Sequence, residues 1–406
     1  MAVIGTFPGA PSFPPRFHIT LPRVIYLDNN ATTRPLPEVV EAVRTALVEH
    51  WANPSSLHRA GQRARAVVEL ARREVAALLG VRPGEIVFTG SGTESVQVAL
   101  HGLMEPGGVL ATSTVEHAAV RELARRREAE DRAMVRWVGA DAEGMLLLPA
   151  ALEAARTAAL MSVQWANNET GTIQPVREVG RACRAAGTAF HTDATQWVGK
   201  EPVPGDLADW CDALSFSAHK LHGPKGVGVL WVRPGVRLRP LVRGAQELGR
   251  HGGTENVPGI AGLGVAARAA RAWLEGEAGA CERARLGALR NAFESRLCER
   301  VPGAVLTGAR AAGGRVWNTS SVSFPGVEAE TLLVMLSEQR PEGVCASAGA
   351  ACSSGSLEPS PVLTAMGLGS EVVAGAVRFS LSRFTTAEEL ERAAEIVVRA
   401  VEGARG

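Results

Sequence analysis

The sequence predicts an α/β protein: a large domain built on a mainly parallel sheet, joined to a smaller α+β domain. Three observations predict it. Short apolar runs alternate with Ala/Arg/Glu-rich stretches of helical periodicity through the middle of the chain, the pattern of strand–helix–strand crossovers. The last third changes character, with longer helical stretches and fewer strands. The residues with chemical potential fall where apolar runs end, and ligands of such sheets bind beyond the carboxyl ends of the strands. At 406 residues the chain has room for two or three domains of ~100–200 residues.

Taken in order, the first 23 residues are Pro-rich and read as a loose arm, lacking the basic start and long apolar run of a signal peptide. Strand-like runs follow at 85–90, 107–113, 158–164, 187–193, 213–218 and 226–232. Between them, Ala60 to Leu79 and Val115 to Glu130 carry helical periodicity. From about Gly259 to Arg300 the chain reads as one long helix or two. Then come a strand-like run at 319–324, a helix at 329–338, a Gly/Ala/Ser loop at 346–356, a strand at 376–382 and a final helix from Ala387.

Composition narrows the function. Lys+Arg (43) and Asp+Glu (42) nearly cancel, which argues against a general binder of nucleic acid. No apolar run reaches the ~18–20 residues of a membrane span. The six cysteines are scattered without a CxxC pair, which favours reduced thiols in a cytoplasmic protein over disulfides or a zinc knuckle. Forty basic residues are arginine and three are lysine: Lys200, Lys220 and Lys225, in one short stretch. Codon bias accounts for the arginines. A site that needs an amine able to lose its proton accounts for at least one lysine, because arginine cannot do this.

Five constellations carry chemistry. Phe88 to Ser95 reads strand, Gly-containing turn, helix from near Thr93, and such a turn offers backbone N–H groups to a phosphate; an ordinary capped turn has the same look. His191 to Gln196 places Asp193 at a strand end, as a metal ligand, nucleophile, partner of a ring nitrogen, or simple helix cap. Ser215 to Gly226 places Lys220 at the end of an apolar strand, where burial favours the free amine that a Schiff base needs. A lysine, a carboxylate and a phosphate turn together match the aldehyde, ring nitrogen and phosphate of pyridoxal phosphate. Ala346 to Ser360 sets Cys352 among small residues, the setting of an exposed nucleophilic thiol. Arg378, in a strand of the second domain, can clamp a carboxylate.

The motifs YLDNNATT (26–33), NPSSLH (53–58), FTGSGTES (88–95), EHAAV (116–120), NNETG (167–171), HTDATQ (191–196), SAHKLHGPKG (217–226), GGTEN (252–256), AACSSGSLEPS (350–360) and RFSLSRFTT (378–386) resemble those of a cysteine desulfurase of the nitrogen-fixation and iron–sulfur assembly type. The resemblance runs from about Val24 to Val401. It implies the fold type I, class V aminotransferase architecture with pyridoxal phosphate. It divides the chain into an arm (1–23), a large domain (31–270), and a small domain (24–30 with 271–406) carrying the cysteine loop.

The resemblance also implies roles. Lys220 would hold the cofactor as a Schiff base and move the substrate's α-proton. Asp193 would pair with the ring nitrogen, Gln196 with the ring oxygen, and His117 would stack on the ring and take part in proton transfer. Gly92, Thr93, Ser217 and His219 would hold the phosphate, and Thr254 would reach the phosphate of the other subunit in a homodimer. Asn168, Arg378 and Asn29 would bind L-cysteine. Cys352 would take its sulfur as a persulfide, leaving L-alanine, for an iron–sulfur scaffold or other acceptor protein. The chain would need no intrinsic metal, although Cys352 would be placed to ligate an iron–sulfur cluster transiently with a scaffold. The sequence departs from the family at Arg243-Gly-Ala-Gln-Glu247 and at Ser380-Leu-Ser-Arg383. Rival readings are a selenocysteine lyase or another class V enzyme, a silent assembly partner, and a metallohydrolase using His191, Asp193, His219 and His222. A silent partner would be expected to lose Lys220 or Cys352, and both are present.

Overall fold

The computed structural model describes residues 23–130, 134–349 and 359–405. Cys352 and residues 1–22 of the N-terminal arm lie outside the described residues, and Arg23, the last residue assigned to the arm, opens the first strand. The described strands, in chain order, are β1 (Arg23–Tyr26), β2 (Ile86–Thr89), β3 (Leu110–Ser113), β4 (Val135–Val138), β5 (Leu160–Gln164), β6 (Ala189–Asp193), β7 (Ala213–Ser217), β8 (Gly228–Val232), β9 (Val305–Leu306), β10 (Thr319–Ser323), β11 (Glu342–Cys345), β12 (Ser347–Ala348) and β13 (Ala376–Ser380).

The large sheet runs β2-β8-β7-β6-β5-β3-β4. Neighbours from β7 to β4 are parallel, while β8 is antiparallel to both β2 and β7. The central strands are buried along their whole length. Helices on both faces explain this, and also explain why these strands read as continuous apolar runs and not as alternating ones. The stretch 259–300 forms two helices, Val257–Leu274 and Gly276–Arg300. A Gly at position 276 with φ +70 marks the break.

A second core forms around the smaller sheet β12-β13-β10-β9 and the helices Gly276–Arg300, Ala329–Glu338 and Ala387–Arg405. Ile25 and Leu27 belong to this core, because β1 pairs in parallel with β11. The chain thus passes from the two-stranded sheet β1-β11 in the small core, along residues 28–33, into the large core. Trp273 packs against both cores. The sequence patterns missed β1, β4, β9, β11 and β12, all of four residues or fewer; β2 and β3 are as short as β1, β4 and β11 but were read from their apolar runs.

Candidate active site

The carboxyl ends of β5, β6 and β7 open onto one cavity of about 430 Å³. Register sets the floor: Gln164 lies opposite Asp193, and Asp193 opposite Ser215. Asp193 is the last residue of β6, and its Oδ1 accepts from Thr195 N at 3.0 Å, closing the turn after the strand. Gln196 follows, its side chain buried and its Nε2 donating to Asn30 O at 3.0 Å.

At the other end of the cavity the chain leaves β2 through Gly90 and Ser91 into the helix Gly92–Leu103. Ser91 caps it, its Oγ accepting from Glu94 N at 3.1 Å. The first turn of this helix therefore presents unpaired N–H groups to the cavity that Ser91, Gly92 and Thr93 line. A Cβ on Gly92 would lie 3.0 Å from Ser217 Cβ, so the end of β7 and this turn meet as closely as glycine allows. Gly228 on β8 serves the same approach, since a Cβ there would lie 2.1 Å from Ser91 O.

Lys220 sits in a single 3-10 turn, Ala218–Lys220, directly after β7. The segment 31–33 fastens this turn: Thr33 Oγ1 and N donate to His219 O at 2.8 and 2.9 Å, and His222 N donates to Thr33 Oγ1 at 2.7 Å. Lys220 Nζ donates to Asn30 O and, at 2.7 Å, to Ala31 O. His219 pairs through Nδ1 with Thr32 Oγ1 at 3.1 Å. Burial, reinforced by the nearby Lys220, Lys225 and Lys200 amines, pushes its imidazole down to about 4, so it is neutral near pH 7. His117 Nδ1 accepts from Ala119 N at 3.1 Å.

The small domain contributes Arg378 from β13. Its side chain is 2% exposed; it donates to Asp28 Oδ1 at 2.8 Å and to Asn168 O at 3.0 Å. Its Nε, and Asn168 Oδ1, are buried without a hydrogen-bond partner. Behind Asn168, Glu169 is buried against Ser360, whose Oγ donates to it. Burial raises that carboxyl to about 7, against the pull of the Ser360 hydrogen bond and of Arg378. Glu116 is fully buried, and burial pushes it well above the usual carboxylate range, with Asp193 adding to the effect.

Gly92, Thr93, His117, Asn168, Asp193, Gln196, Ser217, His219, Lys220 and Arg378 thus line one cavity. Asn29 does not: its Nδ2 donates to Tyr26 O and Ser380 O, and it borders a smaller cleft with Lys200 and Ser382. Asn30 lines the main cavity instead. Thr254 is exposed and outside the cavity of its own chain. The sequence patterns did not single out Asn30, Glu116 or Glu169. Glu247, in the departing stretch, is buried and accepts from both Arg72 terminal nitrogens at 2.8 Å. Ser382, in the other, faces His222 Nε2 at 3.3 Å. Among the described residues no helix is long and apolar enough to cross a membrane, and no group of His, Cys, Asp and Glu is arranged to hold a metal.

Comparison with known proteins gives the family of the chain. The model of the family "Aminotransferase class-V" matches residues 25–393. A cysteine desulfurase of Gluconacetobacter diazotrophicus is 44% identical over 379 residues, covering 92% of each chain. A solved NifS-like protein superposes with a TM-score of 0.83 at 35% identity, covering 94% of this chain and all of that one. A structure titled SspA in complex with cysteine gives a TM-score of 0.74 at 33% identity, over 89% of this chain and 99% of that one. The chain belongs to the class-V aminotransferase family and, within it, to the cysteine desulfurases.

Proposed function

We propose that this protein uses pyridoxal phosphate to take sulfur from L-cysteine, releases L-alanine, and carries the sulfur as a persulfide on Cys352 to an acceptor protein. One observation carries the proposal: an amine, a carboxylate and a helix N-terminus, those of Lys220, Asp193 and the helix Gly92–Leu103, face a single cavity. An aldehyde, a ring nitrogen and a phosphate need these three partners. The fit to the cofactor is supported by the glycine cradle, where a Cβ on Gly92 would reach Ser217. The buried, unpartnered Asn168 Oδ1 supports it further.

When bound, pyridoxal phosphate supplies an electron sink for the substrate carbon that loses its proton. The residues of this chain do the rest. Backbone N–H groups of Gly92 and Thr93, with the hydroxyls of Thr93 and Ser217 and the ring of His219, would bind the phosphate. Asp193 would hold a proton on the ring nitrogen, Gln196 would donate to the ring oxygen, and His117 would offer a stacking face and take part in proton transfer. Lys220 Nζ would anchor the aldehyde and then move the α-proton. Arg378 and Asn168 would orient the carboxylate of L-cysteine, with Asn29 in a supporting place at the adjoining cleft.

The Cys352 thiolate would attack the substrate sulfur. The substrate's Cβ–S bond breaks, an S–S bond forms on Cys352, and a proton completes the methyl group of alanine. Atoms and electrons balance without an outside oxidant. The persulfide suits a soluble acceptor such as an iron–sulfur scaffold, in the cytoplasm, and Thr254 suits a homodimer in which each subunit completes the other's phosphate site. Purified protein loaded with pyridoxal phosphate is expected to release alanine from L-cysteine, with sulfide appearing when a reductant is added. Lys220→Ala is expected to lower alanine formation by roughly a thousandfold. Alanine formation unchanged in Lys220→Ala contradicts the proposal.

A further inference from the structure

Lys200 has no part in the mechanism above, yet it is one of three lysines in the chain and its side chain is buried. Its Nζ donates to Gln196 Oε1 and, at 3.2 Å, to Asn30 Oδ1. The turn before it is built for close contact. Gly199 has φ +81, and a Cβ there would lie 2.6 Å from Leu221 Cβ, next to Lys220. From the small core, Trp317 Nε1 donates to Lys200 O at 2.9 Å. The charged groups that act on the Lys200 amine are Lys220 and Arg378, both cations. Burying an amine beside two cations is unfavourable, so an ion pair is not the reason for a lysine here.

The two ends of a carboxamide are nearly the same size, and their partners decide which way it faces. The Lys200 amine donates to both of its contacts, and Gln196 turns its oxygen to it. Its Nε2 then gives one hydrogen to Asn30 O at 3.0 Å and keeps the second for the cavity that Gln196 lines. Asn30 is fixed in the same way. Its Oδ1 accepts from Lys200 and, at 2.9 Å, from Asn318; its Nδ2 donates to Thr319 Oγ1 at 2.9 Å. Its backbone oxygen is shared by Gln196 and Lys220.

We propose that Lys200 is a positioning residue that locks the Gln196 carboxamide with its NH2 toward the cavity and seats the Asn30 carbonyl against Lys220. The ring oxygen of bound pyridoxal phosphate then meets a donor and not an acceptor. The proposal rests on the cofactor reading given under Proposed function.

A double-variant cycle tests it, read by the absorption spectrum of the loaded protein and by its rate of cofactor release. Lys200→Met is expected to shift the visible band toward that of Gln196→Ala and to speed release about fivefold, the effect of losing one neutral hydrogen bond. Adding Lys200→Met to Gln196→Ala is expected to change neither quantity further, because residues acting through one another are not additive. Lys200→Arg, which keeps the donors, is expected to keep the native band. A Lys200→Met spectrum and release rate equal to wild type, or fully additive effects in the double variant, overturn the proposal. If Lys200→Met does not fold, Lys200→Arg decides: the native band supports the proposal, and a band displaced as far as that of Gln196→Ala overturns it. Wild-type protein that takes up no pyridoxal phosphate is a separate outcome, and it overturns the cofactor reading together with this one.

Discussion

His191 shows how much of the site's charge is set by burial alone. It lies on β6 two residues before Asp193, fully buried between Ser162 Oγ at 2.9 Å and Ser215 Oγ at 3.0 Å. Burial pushes its imidazole down to about 4, with Asp193 pulling weakly the other way. One ring nitrogen accepts and the other donates, so the neutral ring is fully satisfied where it sits. The metallohydrolase reading had asked this residue to bind a metal; its nitrogens are occupied by two serines. The unfolded chain binds a proton here below about 6.5, and the folded chain only near 4. The associated stability is therefore complete above pH 6.5 and is lost as pH falls toward 4. Histidine NMR is expected to show a flat His191 shift from pH 8 down to 5, and a midpoint near 6.5 contradicts this assignment.

At the scale of elements, the turn at Gly90–Gly92 depends on a strand that does not line the cavity. Gly228 opens β8, and Ser91 O lies in the space a side chain at 228 would take. Gly228→Ala is expected to push the start of the helix Gly92–Leu103 away from β7. It should cost about 1–3 kcal/mol in an unfolding melt, the range for overpacking a tight interior, and it should weaken pyridoxal phosphate retention. A variant with native stability and native retention contradicts the close approach. The strand-end chemistry was legible in the sequence because Asp193, Ser217 and Lys220 follow apolar runs. The choice between Asn29 and Asn30 was not legible. The two lie in a turn closed by Ala31 N on Asp28 O at 3.1 Å, and only the pairing of residues 27–30 with β13 and β11 decides which of them faces the cavity. Glu116 and Glu169 fall inside quoted motifs, but no role was read for them, because a buried carboxylate reads in sequence as a surface one.

At the scale of the molecule, the active site joins two cores built from distant parts of the chain. Residues 25–33 start in the small core and end beneath Lys220, so the N-terminal segment of the fold and its middle must both be in place before the cavity exists. The α/β alternation and the change of pattern near residue 259 were readable, because long helices and buried strands repeat a period many times. The interlocking of the cores was not, since it rests on contacts between residues hundreds of positions apart, such as Asn30 with Thr319. Thr254 is exposed on the single chain, the condition for a contact with a second copy. Light scattering is expected to give a dimer, and Thr254→Ala to raise the cofactor dissociation constant about fivefold, the loss of one hydrogen bond. A monomer that binds the cofactor with wild-type affinity contradicts the shared site.

The central claim is that sulfur from L-cysteine comes to rest on Cys352. A single turnover of the loaded protein with L-cysteine, quenched and digested for mass spectrometry, tests it most directly. The account predicts one alanine per turnover and a Cys352 peptide heavier by one sulfur atom, with neither the sulfur nor sustained turnover in Cys352→Ala and with the cofactor colour retained. Sulfur found on Cys345 or another cysteine, or alanine formed at the wild-type rate by Cys352→Ala, would contradict it.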